Sequence, residues 1–559
     1  MKRFILLISL ALTLSACSRQ SVPVVDDGVL EETAVNPVLT PATPSSRLLA
    51  PGSRSITFTV TTQDPSVVKA DSSNKPFSAM SLTATSTDNN RTHRFIVSLQ
   101  ANKPYSFYIK AAPKNNPSRP YAVTRKVNYR VVTPYLPTFP RIFTLWWPEW
   151  GQWQDVTVNS LSKLSVFVFN LHSYHETNAF KPIDPDIFKQ AREQNPSLRI
   201  LTQLYSTNGC DVSYCDELER VDNDPDHPLY KKIFVRKAND TLWTYGAGQD
   251  WEHPVYNLSH RETVQYLLQK NLSLWRNDLL TFDGVFMDNC WRGFEGVNDG
   301  RGTGISRPID LDGNGVADDP VVRDRAYEYG LQDFLKGLKN AMPNAVIICN
   351  AIGGYPNKTA LHTPGQPLKD RQGNPFSYSS AVSGKEFEDN IYALSAKENW
   401  LTFSNFMNEY RAWCKSPCFT FVPSKGSEDN DGTDDKNFED FRAMRFGLAT
   451  ALMGDGLYLR NVYATWSKNS WFDEYDANLG YATQGSGQPI ASGSSVWRRD
   501  FDNGIALVNT SKTASIIVNL GGTFKALEGS PDQDPDVNNG RTVTRIKLAP
   551  LDGRILLRP

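Results

Sequence analysis

Hydrophobic residues fall into two rhythms along the chain. Between about Arg54 and Thr133 they alternate with polar ones in short runs: SITFTVTT (55–62), SLTAT (81–85), HRFIVSL (93–99), YSFYIKAA (105–112) and VNYRVV (127–132), with Asn, Pro and Asp clusters between them. Period two broken by turn residues predicts a small β-sandwich over 54–133. From 134 to 486 the runs become continuously apolar: RIFTLWW (141–147), LSVFVFNLH (164–172), RILTQLYS (199–206), FDGVFMDN (282–289), AVIICNAI (345–352), AVSGKEFE (381–388), CFTFVPSK (418–425) and GLYLRNVY (456–463). Amphipathic helical patterns lie between them, clearest at 185–194, 261–278, 321–342 and 437–454. Eight strands alternating with helices predict a parallel (β/α)8 TIM barrel. After about Gly487 short strands return, SSVWRRDF, GIALVNT, ASIIVNL, RTVTRIKLA and GRILLRP, and predict a second β-sandwich over 487–559. The expected class is α/β, a TIM barrel flanked by an N-terminal and a C-terminal β-sandwich.

The first residues concern the compartment. Lys2 and Arg3 precede an apolar run from Phe4 to Leu14, too short to cross a bilayer core of ~30 Å, which marks a signal peptide. Leu14, Ser15, Ala16 and Cys17 resemble the bacterial lipobox. That resemblance implies cleavage before Cys17, lipidation of its thiol and a protein of the cell envelope, lipid-anchored at the outer membrane or cell surface. Residues 18–53, rich in Pro, Thr, Ser and Val, read as a flexible tether. No later run approaches the length of a membrane span. Tyr105, Phe107 and Ile109 resemble a fibronectin type III strand.

With 59 Lys+Arg against 60 Asp+Glu the chain has no field to hold a polyanion, which argues against nucleic acid as a partner. Beyond Cys17 stand Cys210, Cys215, Cys290, Cys349, Cys414 and Cys418, an even set that permits disulfides outside the cytoplasm. Cys210 with Cys215 and Cys414 with Cys418 are close enough to clip single loops. Their spacing does not suit zinc.

A parallel barrel carries its chemistry at the carboxyl ends of its strands. On the fourth, Gly284, Phe286 and Asp288 share a face and set a carboxylate at the mouth. The sixth closes with Glu386 and Glu388; Glu388 is nearer the end, and Glu386, expected to sit deeper, is the alternative. Two carboxylates from different strands facing one cleft suit glycoside hydrolysis, in which one attacks the sugar and the other donates a proton to the leaving oxygen. Asn170, His172, Gln203, Tyr205, Asn289, Asn350 and Arg460, with Lys425 and Asn461, would line a polar cup for sugar hydroxyls, and Trp146, Trp147 and Glu149 in WWPEWGQW would face sugar rings. Asp310, Asp312, Asn314 and Asp318, with Gly315 at the sixth place, match the first part of an EF-hand-type loop, although Val321 stands where its last glutamate belongs. A structural Ca2+ is expected there, and no cofactor is required for the reaction.

FDGVFMDN, GKEFED and the distal RFGLATALMGDG, WFDEYDANLG and WRRDFDNGIALVN resemble the TIM-barrel glycoside hydrolases grouped as hypothetical glycosyl hydrolases, over residues 135–515. The resemblance implies a catalytic pair at Asp288 and Glu388. Acids on strands four and six also resemble retaining α-glycosidases such as the α-galactosidase clan, which implies Asp288 as nucleophile. The expectation is a lipid-anchored, retaining glycoside hydrolase of a polysaccharide or oligosaccharide, able to work as a monomer. A non-catalytic glycan-binding envelope lipoprotein would use the same aromatics and amides, and release of reducing ends separates the two. A metal-dependent hydrolase would need clustered histidines, and of seven only His172 and His175 are close.

Overall fold

Burial and local preference agree on the strands of the central region. The computed structural model describes residues 39–100, 103–146, 156–170, 185–205, 212–245, 253–277, 281–290, 292–294, 308–350, 368–387, 402–425, 441–461, 471–531 and 533–559. Within them, parallel strands occupy every expected run: β1 (Phe143–Trp146), β2 (Val166–Asn170), β3 (Arg199–Tyr205), β4 (Gly284–Asp288), β5 (Val346–Cys349), β6 (Gly384–Lys385), β7 (Phe421–Lys425) and β8 (Leu457–Asn461). Helices fill each interval: α1 (Val158–Ser162), α2 (Pro185–Gln194), α3 (Val212–Asn223), α4 (Arg261–Asn277), α5 (Pro320–Ala341), α6 (Tyr378–Ala381), α7 (Phe403–Trp413) and α8 (Phe441–Leu452). This is a mixed α/β fold. Strands β1 to β6 pair in sequence order in one sheet and β7 with β8 in another. Single parallel bridges, Glu386 with Phe421 and Ile142 with Tyr458, join β6 to β7 and the start of β1 to β8.

Period-two alternation sorts the strand residues into two apolar layers. Phe143, Leu145, Val166, Val168, Leu201, Phe286, Val346, Ile348, Phe421 and Leu457 make one cluster among the strands. Their neighbours Phe167, Phe169, Val285, Met287, Ile347 and Val422 pack instead in the larger core with the helices. Gly284 is demanded where β4 passes β5, because a Cβ there would lie 1.9 Å from the Val346 carbonyl oxygen.

The N-terminal strands form two sheets, one holding Ser55–Thr61 and Thr92–Ser98, the other Pro104–Pro113 and Thr124–Val131. Both contribute to one cluster that includes Phe58, Phe95, Phe107, Ile109 and Tyr129. The expected tether is shorter than its sequence suggested. Leu39, Ala42 and Leu49 are buried in this cluster, and Arg47–Leu49 runs as a strand beside Tyr129–Val131. Their apolar positions are too irregularly spaced to show a period, yet each finds a place in the core. Residues 18–38 lie outside the described set.

The C-terminal strands make a single six-stranded antiparallel sheet rather than two separate ones. A register shift between Asn519 and Phe524 interrupts its longest strand, and Val496, Ile505, Leu507, Val518, Phe524 and Leu556 share one cluster. The sheet lies against α8, whose residues from Ala443 to Leu452 are all buried. Gly553 permits the contact: a Cβ there would stand 2.3 Å from the Arg445 carbonyl oxygen. Arg445 also reaches Asp534 at 2.5 Å and Asp552 at 3.2 Å.

The N-terminal domain is tied to the central sheet by charge. Asp283, one residue before β4, receives Nη2 of Arg130 on one oxygen and Nη2 of Arg192 on the other, each at 2.7 Å. The Ile200 N–H donates to it at 2.9 Å. Arg130 belongs to the N-terminal strand Thr124–Val131 and Arg192 to α2. Burial pushes the Asp283 carboxyl up, but Arg130, Arg192 and Arg199 outweigh that and hold it well below the usual carboxylate range. Burial in turn pushes Arg192 down to about 10, against the pull of Asp283. The guanidiniums also donate to the carbonyls of Phe282, Thr281 and Thr133, which spreads charge that one carboxylate would not balance.

Removing the carboxylate leaves buried cations uncompensated, so Asp283→Asn should lower unfolding free energy by about 3–5 kcal/mol in denaturant titrations. A depressed folded pKa stabilises above the unfolded value near ~3.9 and loses that contribution as pH falls through the folded one. The stability gap between wild type and Asp283→Asn should therefore narrow on acidification below about pH 4.

Candidate active site

Asp288 closes β4 on the same face as Phe286, which belongs to the inner strand cluster. Register sets what surrounds it. Tyr205 on β3 pairs directly with Asp288, and Met287 pairs with Cys349 on β5, so the next residue, Asn350, stands beside Asp288. The backbone is laced tightly here. The Asn350 N–H donates to the Met287 carbonyl at 2.9 Å and the Cys290 N–H to the Asn350 carbonyl at 3.0 Å. Two donors then converge on Asp288 Oδ1: Nδ2 of Asn350 at 3.0 Å and the N–H of Asn289 at 2.7 Å. Asn289 reaches that position with φ 54°, in the left-handed region where Asn is among the few tolerated residues. Hydrogen bonds donated to a carboxylate favour its charged form.

On the sixth strand Ile348 pairs with Gly384 and Cys349 with Lys385, and the Glu386 N–H donates to the Cys349 carbonyl at 2.9 Å. One step on, Glu386 lies beside Asn350 and so in the layer of Asp288, two strands away. The two neighbouring registers carry β6 up level with β4, and the expected comparison of the depth of Glu386 with that of Glu388 falls on a residue outside the described set. Glu386 is buried at 5% exposure. Lys385 faces the other way, with Nζ 3.2 Å from Glu409 on α7, and burial lowers its pKa against the opposing pull of that carboxylate. Glu388 lies outside the described residues.

Gln203 lies on the inner face of β3 with Leu201. It is buried, and its Nε2 has no hydrogen-bond partner among the described residues. Arg460 is placed differently from expectation. Leu457 and Leu459 on β8 border the inner cluster, whereas Arg460 shares the opposite parity with Tyr458 and donates Nη1 to Ser424 Oγ at 3.4 Å. Its N–H donates to the Tyr475 hydroxyl at 3.2 Å. It braces β7, β8 and the 471–476 segment behind the sheet rather than a sugar site. Trp147, Glu149 and His172 lie outside the described residues, as do the side chains of Trp146, Asn170, Tyr205, Lys425 and Asn461.

The cysteines resolve into two kinds. Cys414 and Cys418 form a disulfide across a sequence separation of four. Cys290 and Cys349 are buried free thiols in contact, and burial together with the neighbouring thiol raises the Cys349 pKa well above its ordinary value. Sequence counting had no means to find this pair, since it depends on the turn after Asp288. Cys17, Cys210 and the Cys215 side chain lie outside the described set.

In the loop before α5, carboxylate oxygens of Asp310, Asp312 and Asp318 lie within 4.8 Å of one another. Asp310 accepts the N–H groups of Gly313, Asn314 and Gly315. Asn314 donates its amide to Asp312 and accepts the Val316 N–H. Burial first, then Asp312 and Asp310, raise the Asp318 pKa. Asp319 caps α5 through the N–H groups of Val321 and Val322.

The family model described as hypothetical glycosyl hydrolase family 15 matches residues 192–505, more than half of the chain. The chain belongs to hypothetical glycosyl hydrolase family 15. Asp288, Asn350, Glu386 and the Asp310 loop all fall inside the matched span, so this family member is a glycoside hydrolase whose named activity is carbohydrate hydrolysis. No curated protein sequence matches the chain. Among solved structures, a family 39 glycoside hydrolase from the gut symbiont Bacteroides cellulosilyticus WH2 is similar over 92% of this chain and 99% of that one, at 9% identity and a TM-score of 0.41. A cyclic α-maltosyl-(1→6)-maltose hydrolase from Arthrobacter globiformis is similar over 77% and 94%, at 11% identity and a TM-score of 0.40. A GH36 α-galactosidase from Geobacillus stearothermophilus is similar over 90% and 69%, at 10% identity and a TM-score of 0.36.

Proposed function

We propose that this chain is a retaining glycoside hydrolase acting on a polysaccharide or oligosaccharide at the open end of a (β/α)8 barrel. The reading of a complete barrel is supported by the ring order of the strands and their two joining bridges. The observation that carries the function is Asp288, a carboxylate at the end of the fourth strand whose Oδ1 is held by two N–H donors. Asp288 attacks the anomeric carbon as nucleophile. A glutamic acid from the end of the sixth strand donates a proton to the departing glycosidic oxygen and then, as a carboxylate, takes one from the water that frees the sugar.

Glu388 was the first choice for that acid on sequence; its level with Asp288 now favours Glu386. Gln203 would donate its amide to a sugar hydroxyl, with Asn170, His172, Tyr205 and Asn289 around it and Trp146, Trp147 and Glu149 at the rim. Lipidation of Cys17 would hold the enzyme at the envelope, and a Ca2+ ion between Asp310, Asp312 and Asp318 would relieve their mutual repulsion.

In a screen of polysaccharides for new reducing ends, Asp288→Asn should reduce release to background. Of Glu386→Gln and Glu388→Gln, the one that removes the acid should lose about 10²–10⁴-fold in kcat, and NMR of the first product should show retained anomeric configuration. Glycan binding with no reducing ends across the panel would favour a purely binding lipoprotein. Millimolar Ca2+ should raise Tm in the wild type and not in Asp312→Asn. Equal responses would remove the ion. Metabolic labelling with a radioactive fatty acid should mark the wild type and not Cys17→Ser.

A further inference from the structure

We propose that Asn350 is the positioning residue of the site: it holds Asp288 ionised and aimed, and is not a contact for the sugar. The argument starts from where its groups are spent. Its N–H and carbonyl both bond to the end of β4, to Met287 and from Cys290. Its Nδ2 donates to Asp288 Oδ1. Two backbone links fix the residue against one four-residue stretch, the third commits its side-chain donor to Asp288, and Asn350 is itself buried at 6% exposure.

The amide also has a reason to be neutral. Asp288 shares its layer with Tyr205 on β3 and Glu386 on β6, and Glu388 follows two residues further on. Behind the strand stand the buried thiols of Cys290 and Cys349, and Arg292 is paired with Glu328 at 2.7 Å. An acid that must stay protonated near a carboxylate that must stay charged requires environments that push them apart. A cation between β4 and β6 would draw both down together. An asparagine on the intervening strand donates to Asp288 without placing a charge beside Glu386.

The same bond fixes geometry. Asn289 in the left-handed region pins Oδ1 from the chain's own strand and Asn350 pins it from the next, so the carboxylate plane is set by two strands rather than by its rotamer.

The test reads the carboxyl itself. Infrared difference spectra between wild type and Asp288→Asn isolate the Asp288 carboxyl, and its titration is then repeated in Asn350→Ala and Asn350→Leu, each checked for folding by circular dichroism. The midpoint should rise by about one to two pH units, the worth of one hydrogen bond to a charged group, and the acid limb of kcat/KM should rise with it. An unmoved midpoint in both folded variants, or a raised KM with an unmoved acid limb, would make Asn350 a substrate contact and overturn the proposal. The wild-type chain gives a reading that needs no Asn350 variant. With selectively 15N-labelled asparagine, the Asn350 amide signals should move with pH through the Asp288 transition and stay still in Asp288→Asn. Signals that ignore that transition overturn the proposal equally. The effect on turnover rests on Asp288 being the reacting carboxylate, but the infrared and NMR midpoints do not, so loss of the catalytic reading and loss of this one are separately visible.

Discussion

The buried cluster around Asp283 is the constraint on which the rest of the arrangement hangs. One carboxylate there receives arginines from the N-terminal domain and from α2 and a backbone N–H from β3, and it immediately precedes β4. Five residues later the same strand ends in Asp288. At about 3.3 Å per residue the two acids are roughly 17 Å apart along one rigid strand. The lower acid is kept charged by cations and has a structural task. The upper one is held by neutral amides and is available for chemistry. One strand thus carries both the anchor of the fold and the candidate nucleophile, and the fixed register of its neighbours transmits the position of the first to the second.

Much of this was legible from the chain's rhythm. All eight apolar runs of the central region are strands, and alternation along GVFMD placed Asp288 on the inner face. Local pattern failed where long-range register or parity decided. That Glu386 shares a layer with Asp288 does not show in the sequence, because one strand does not say how far its neighbour has slid. Arg460 sat at the right end of β8 but on its outer face, a distinction that counting from Leu457 would have made. Arg130 and Asp283 are 153 positions apart and show no sign of each other in sequence. Leu39 to Leu49 looked like tether because irregular apolar residues carry no period, although the core has places for them.

The site has a clear division of labour among its polar groups. Asn350 and Asn289 are engaged with Asp288, Lys385 and Arg460 are turned to the outer layer, and Gln203 keeps a buried donor without a partner among the described residues. An unanswered amide is costly in an apolar layer, and this one stands one inward-facing layer below Asp288.

The packing of α8 bears on what counts as a domain. A helix buried on every side has no solvent face of its own, and here the C-terminal sheet supplies the missing cover through Gly553 and the Arg445 carboxylate pairs. The boundary near residue 487 therefore divides the sequence but not the cooperative unit. Cutting the chain there would strip the wall from one side of α8, and the two halves should melt as one transition.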